Sequence, residues 1–180
     1  MSQKLRSKIE NLLGSDHAEL DELFGQVFTA LDAANHNESF QTLDLFWARL
    51  AMHIRAEHLQ LFPAIRSIAT DLAARDEIND LLGRLRHDHD LFMRELARAI
   101  KALRLVFYFG NEAETFEIVR QIITEVKQRL EIHNRLEEKQ IYTLANENSM
   151  QSDEVENLSV TIKKELDNYP RRFASARRGA

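Results

Sequence analysis

No cysteine occurs in the chain, so disulfides, thiolate metal sites and cysteine nucleophiles are excluded together. Any metal site must be built from nitrogen and oxygen. Five glycines and two prolines among 180 residues leave few turn-formers, which suits a few long helices and not a sheet of many strands. No apolar run approaches the roughly 18 residues of a membrane span. The N-terminus, Met1-Ser2-Gln3-Lys4-Leu5-Arg6, lacks the apolar core of a signal peptide. The reading is a soluble, cytoplasmic protein with no membrane partner.

Hydrophobic residues make up 44% of the chain and charged residues 29%, the composition of an ordinary globular domain with a real core. The net charge is −5, and the tail after Asp167 holds Arg171, Arg172, Arg177 and Arg178 with no acid, so the body is more acidic still. An acidic body argues against nucleic acid as a partner. The basic tail reads as a solubilising end.

Apolar residues recur at helical spacing in four long stretches. Ile9, Leu13, Leu20, Phe24, Val27 and Leu31 define a helix over about 3–33, with His17 filling the one vacancy in the stripe. A second helix starts at Ser39 as N-cap and carries Leu43, Phe46, Leu50, His53, Glu57 and Leu61. Pro63 predicts a kink just past His53 and Glu57, and the helix is expected to end between Thr70 and Ala74. The third helix spans about Asp76 to Phe109, with His89 in its stripe, and Gly110-Asn111 stops it. The fourth runs from about Phe116 to Leu144 with His133 and Glu137, and Asn146 to Ser152 ends it. Asp153 is expected to cap a shorter fifth helix with Val155, Leu158, Ile162 and Leu166 on its apolar side.

Residues four apart on a helix share a face, so His53 with Glu57 and His133 with Glu137 each form a pair at metal-ligand spacing. The stretches match beyond that pair: His, Arg, Glu and Gln recur in register. Counting outward from the connections at a 1.5 Å rise puts His17 level with His53, and His89 level with His133, in antiparallel neighbours. The expected fold is therefore all-α, an antiparallel up-down four-helix bundle over 1–150, followed by a short C-terminal helix and basic tail over 151–180. Its interior gathers His17, His53, Glu57, His89, His133 and Glu137. Burying these groups without partners would cost several kcal/mol per charge, a problem that a metal centre removes. Imidazole and carboxylate suit iron, zinc, copper or manganese, and carboxylates from opposed helices are placed to bridge two ions.

Other residues are weighed against these six. His58 lies about 100° round the helix from Glu57 and is a neighbour more than a ligand. His87 is off the apolar face that carries His89, Glu138 competes with Glu137, and His36 falls in a loop exposed to solvent. Phe62 and Tyr142, each nine residues after its histidine, are assigned to the core.

Together these motifs are similar to those of the hemerythrin-like, or HHE cation-binding, domains: Asp16-His17, His53-x-x-x-Glu57 running into Leu61-Phe62-Pro63, Asp88-His89, and His133-x-x-x-Glu137, over about residues 5–148. The resemblance implies a non-haem di-iron centre bridged by two carboxylates, which binds or reacts with dioxygen, nitric oxide or peroxide, or which serves to sense or handle iron. Oxygen-carrying members have a further histidine four residues from the one in the third helix. Leu85 and Met93 stand at those distances from His89, which favours sensing, iron handling or oxidative chemistry over reversible oxygen carriage. The alternatives are a di-iron oxidase or peroxidase and a metal-free helical interaction module.

Overall fold

The computed structural model describes residues 7–69, 71–109, 112–145, 150–170 and 173, which form five helices and, among the described residues, no strand. The expected start of the first helix near residue 3, Thr70, the Gly110-Asn111 stop, residues 146–149 and the four tail arginines lie outside the described residues.

Helix α1 covers Lys8–Asp32 and is opened by a capping box in which Ser7 Oγ accepts from the Glu10 amide at 3.1 Å and Glu10 accepts from the Ser7 amide at 3.3 Å. It closes on Ala34, whose φ of 50° is left-handed, with the Asn35 amide reaching back to the Ala30 carbonyl at 3.1 Å. Asn35 then caps α2, His36–Ala56, by accepting from the Glu38 amide at 3.1 Å. One residue thus ends one helix and begins the next. The expected cap, Ser39, is instead buried in the first turn with its hydroxyl donating to the Asn35 carbonyl.

Helix α2 continues through a π turn, Glu57–Leu61, into a final α segment, Phe62–Ser67. The Phe62 amide bonds the Glu57 carbonyl, five residues back. The irregularity therefore lies ahead of Pro63, at the expected ligand itself. Helix α3, Leu72–Phe109, starts earlier than expected because Asp71 Oδ1 accepts from the Ala74 amide at 2.9 Å. Helix α4, Glu112–Leu136, also runs into a π turn, Glu137–Ile141, with the Tyr142 amide on the Glu137 carbonyl at 2.9 Å. No proline is near this second turn, so proline is not what the two turns share. Helix α5, Ser152–Leu166, is capped by Gln151 and Glu154, and Asp153 sits in its first turn.

Two apolar clusters hold the helices together. One joins Phe24 and Phe46, stacked at 4.1 Å, with Leu50, Phe92, Leu96, Ile123 and Val126. The other joins Leu13, Leu61, Phe62, Leu82, Ile141 and α5 through Val155, Leu158 and Ile162. Fully burying each such side chain stabilises the fold by about 1.5–3 kcal/mol. Helix α5 is fastened to the outside of this second cluster by ion pairs, Lys8 with Glu156 and Arg55 with Glu165. Along every long helix the histidine falls between the two clusters. A polar layer is thereby enclosed above and below by hydrocarbon.

Cross-helix pairs fix the register of that layer: Asp16 with Arg49 and His53, Trp47 with Met93, Asp88 with Arg129 and His133, and Asp32 with Arg120. His36, expected in an exposed loop, lies instead at the start of α2, partly buried, and donates from Nε2 to the Leu103 carbonyl at 2.7 Å.

Candidate metal centre

The helical stripes bring all six expected residues into the polar layer. Glu57 and Glu137 are fully buried and the four histidines are 2–4% exposed. In one half, the Nε2 atoms of His17 and His53 face each other at 3.1 Å. In the other, those of His89 and His133 stand 2.8 Å apart. Both glutamates reach into both halves. Glu57 Oε1 is 3.4 Å from His53 Nε2 and its Oε2 3.3 Å from His89 Nε2, while Glu137 Oε2 is 3.5 Å from His17 Nε2 and its Oε1 3.0 Å from His133 Nε2.

The outward nitrogens explain why the inward ones are left as donors. His53 Nδ1 donates to Asp16 at 2.7 Å, His17 Nδ1 to Glu138 at 3.0 Å and His133 Nδ1 to Asp88 at 3.3 Å. A carboxylate only accepts, so these three Nδ1 atoms hold the ring proton and Nε2 presents a lone pair to the centre. His89 Nδ1 instead meets His58 Nε2 at 2.9 Å. Two imidazole lone pairs at about 3 Å repel unless a cation lies between them. Donors about 2.1 Å from an ion, on neighbouring corners of an octahedron, are themselves about 3 Å apart. The observed separations match that spacing.

Two further observations agree. Glu57 Oε2 and Glu137 Oε1 are buried acceptors with no hydrogen-bond partner among the described residues, although imidazole nitrogens stand within 3.5 Å of each. They face the imidazole nitrogens without hydrogen bonding to them, as ligands around a common point do. The groups His17–His53–Glu137 and His89–His133–Glu137 each present three atoms that could hold a metal ion.

The family model of the hemerythrin HHE cation binding domain matches residues 8–145. The chain belongs to this family. No curated protein and no solved structure matches the chain significantly. Within this hemerythrin-family chain the two halves of the centre repeat each other closely. Arg49, His53 and Glu57 on α2 correspond to Arg129, His133 and Glu137 on α4, each four residues apart. Each arginine holds the aspartate that holds the histidine, Arg49 on Asp16 at 2.7 Å and Arg129 on Asp88 at 2.6 Å. The aspartate next to His17 thus serves His53, and the one next to His89 serves His133.

Protons partly do the work of a cation in this arrangement. Burial opposes protonation of His53, but Glu57 and Asp16 outweigh it and hold the group well above its ordinary value. His17 is raised against burial by Glu137 and Glu138, and His133 by Glu137, Glu57 and Asp88. Burial would lift Glu137, yet His133, His17 and His89 bring it well below the usual carboxylate range. His58 goes the other way, to about 4, through burial and then the charges of His89 and Arg86.

Sequence reasoning missed one residue outright. Tyr142, assigned to the core, is fully buried there, yet its hydroxyl enters the polar layer and donates to Glu57 Oε1 at 2.7 Å. Asp16, Asp88, Glu138 and the two arginines carried a usable signal, since the repeat of Arg49 and Arg129 extends four residues ahead of each histidine. Phe62, which corresponds to Tyr142, is apolar core, its ring stacked on His89 at 6.1 Å. His87 is exposed and away from the centre. His58 is half-buried and lines a surface groove of about 410 Å³ with Ile54, Leu59 and Met93, so the His89 half is the one approached from outside through a histidine.

Proposed function

We propose that the chain is a hemerythrin-like non-haem di-iron protein that binds or senses dioxygen or a related small oxidant such as nitric oxide or peroxide, or that handles iron. The observation that carries this reading is the pair of buried glutamates, each extending between two histidine pairs and each with one oxygen that has no hydrogen-bond partner among the described residues. His17 and His53 would hold one ion and His89 and His133 the other, with Glu57 and Glu137 shared between them; another divalent metal would fit the same donors. The four long helices form an antiparallel up-down bundle over residues 1–150, a reading that the cross-helix pairs support, with the fifth helix and basic tail as an appendage.

Bound iron would supply redox chemistry and open coordination positions for a small ligand. The chain supplies the rest. Asp16, Asp88 and Glu138 hold the histidines in the tautomer that offers Nε2, and the two apolar clusters keep bulk water from the layer. No helix among the described residues is long and apolar enough to cross a membrane, and a cytoplasmic site of action, without nucleic acid or membrane as partner, goes with this reading.

Anaerobic loading with ferrous iron followed by metal analysis tests it, with a near-ultraviolet spectrum taken after admission of oxygen. Close to two ions per chain and new near-ultraviolet absorption are expected. Uptake well under one ion per chain overturns the reading and leaves a helical interaction module. A second reading, a di-iron oxidase or peroxidase, draws support from Met93, which stands four residues past His89 and offers no nitrogen to fill a position. Steady turnover of peroxide or an organic substrate above the background of free iron would establish it.

A further inference from the structure

The two halves of the centre differ at one pair of corresponding positions that faces them directly, Tyr142 and Phe62. The Tyr142 oxygen is 2.7 Å from Glu57 Oε1, 3.1 Å from His17 Nε2, 3.3 Å from Glu137 Oε2 and 3.4 Å from His53 Nε2. These are the four donors of one half. The hydroxyl caps all four at the spacing that separates neighbouring ligands around one octahedral ion, about 3 Å for bonds of about 2.1 Å. A hydroxyl that served only to satisfy Glu57 would need to be near one oxygen, not also within 3.4 Å of two imidazoles and a second carboxylate. On the opposite side Phe62 lays a hydrocarbon face on His89, and Glu57 Oε2 and Glu137 Oε1 have no hydrogen-bond partner among the described residues.

Resting on the di-iron reading, we infer that Tyr142 is a ligand of the His17/His53 ion, so that the two metal positions are chemically inequivalent. One ion is held by His17, His53, Glu57, Glu137 and the Tyr142 oxygen, and the other by His89, His133 and the same two glutamates. The phenol proton is lost to water as the ion binds. The residues behind the histidines bias the pair in the same direction. A carboxylate, Glu138, stands behind His17, whereas an imidazole, His58, stands behind His89, so the first ion receives more negative charge. The second ion keeps more open positions and is the one that a small exogenous ligand meets.

The test is the visible spectrum of iron-loaded, oxidised protein, wild type beside Tyr142→Phe, with iron content and far-ultraviolet circular dichroism measured on both. Wild type is expected to hold two irons and to show a broad visible band from phenolate-to-iron charge transfer. The variant is expected to keep its helical signal and its near-ultraviolet absorption, to lose the visible band, and to release one of its two irons to a chelator at least about tenfold more readily. Resonance Raman of the wild type, excited in the visible band, is expected to show tyrosinate ring modes, and this arm does not depend on the variant folding. Two irons in the wild type with no phenolate band, or a band that survives in the variant, overturns the assignment and leaves Tyr142 as a hydrogen-bond donor to Glu57. Failure of the wild type to take up iron is a different result, which removes the di-iron reading and this inference with it.

Discussion

Asp16 accepts a 2.7 Å hydrogen bond from Nδ1 of His53 while its other oxygen is held by Arg49 at 2.7 Å. The contact crosses from α1 to α2 and is almost wholly out of water, Asp16 being 1% exposed. It fixes both the tautomer and the tilt of His53.

Removing that support gives the first prediction. Asp16→Ala is expected to weaken one of the two ions by about 10–100-fold while leaving the other near its wild-type affinity. Chelator competition on the iron-loaded protein separates the two. Asp88→Ala is expected to have a smaller effect on the second ion, because its contact with His133 is longer, 3.3 Å.

Each glutamate spans both halves, so loss of either should disturb both. Glu57→Ala and Glu137→Ala are each expected to lower metal content below two ions per chain and to abolish the near-ultraviolet signature of the pair. His87→Ala, at an exposed position, is expected to leave metal content unchanged. A loss of metal in that variant would show that the wrong histidine of α3 has been assigned to the centre.

Stability should depend on pH in opposite senses with and without metal. In the metal-free protein His17, His53 and His133 are raised above 6.5, so their contribution is complete below 6.5 and is lost as pH rises through the raised values. Glu137 is depressed below 4.5, so its contribution is present above 4.5 and lost as pH falls through the depressed value. Half-buried His58, lowered to about 4, favours the fold above 6.5 and loses that contribution towards 4, a partial offset. Metal-free protein is therefore expected to melt highest in mildly acidic buffer and lower from neutral pH upward. Metal-loaded protein is expected to gain stability over the same alkaline step, because ions displace the imidazole protons. Thermal melts of both forms across pH 5–9 check the two slopes, the range being of the order set by ordinary histidine titration.

A fourth prediction concerns the backbone alone. Ala34 holds a φ of 50°, which costs a residue with a Cβ about 1 kcal/mol that glycine does not bear. Ala34→Gly is expected to stabilise the metal-free chain by about that amount, read from the urea midpoint, with no change in metal content.

Much of the centre could be read from residue spacing because helical periodicity is a local property. A histidine that interrupts an apolar stripe, as His17 and His89 do, declares its face without knowledge of any neighbour. What could not be read depends on how helices rotate against one another. Asp16 and Asp88 are adjacent in sequence to one histidine and bonded to another, a pairing that only the register between helices decides. Tyr142 was hidden for a different reason: a buried tyrosine and a buried phenylalanine occupy the same stripe, and nothing local says where the hydroxyl ends. The helix starts differ from expectation where Asn35 and Gln151 took the capping role from Ser39 and Asp153, and where Asp71 caps a helix expected from about Asp76. Several side chains there can accept the same free amides, and the choice between them is worth about 1 kcal/mol or less.

The two π turns bear on what changes of length this chain can tolerate. In an unbroken α-helix a residue and its fifth neighbour are about 140° apart around the axis, so Glu137 and Tyr142 would look in different directions. One extra residue in the turn brings them to the same side, and the same holds for Glu57 and Phe62. Deleting any single residue within His58–Leu61 or Glu138–Ile141 would restore a smoother helix and swing everything beyond it out of line. Such a deletion should be as damaging to the centre as the loss of a glutamate, although it would remove no ligand. Length is under tighter constraint at these two places than identity is at most others.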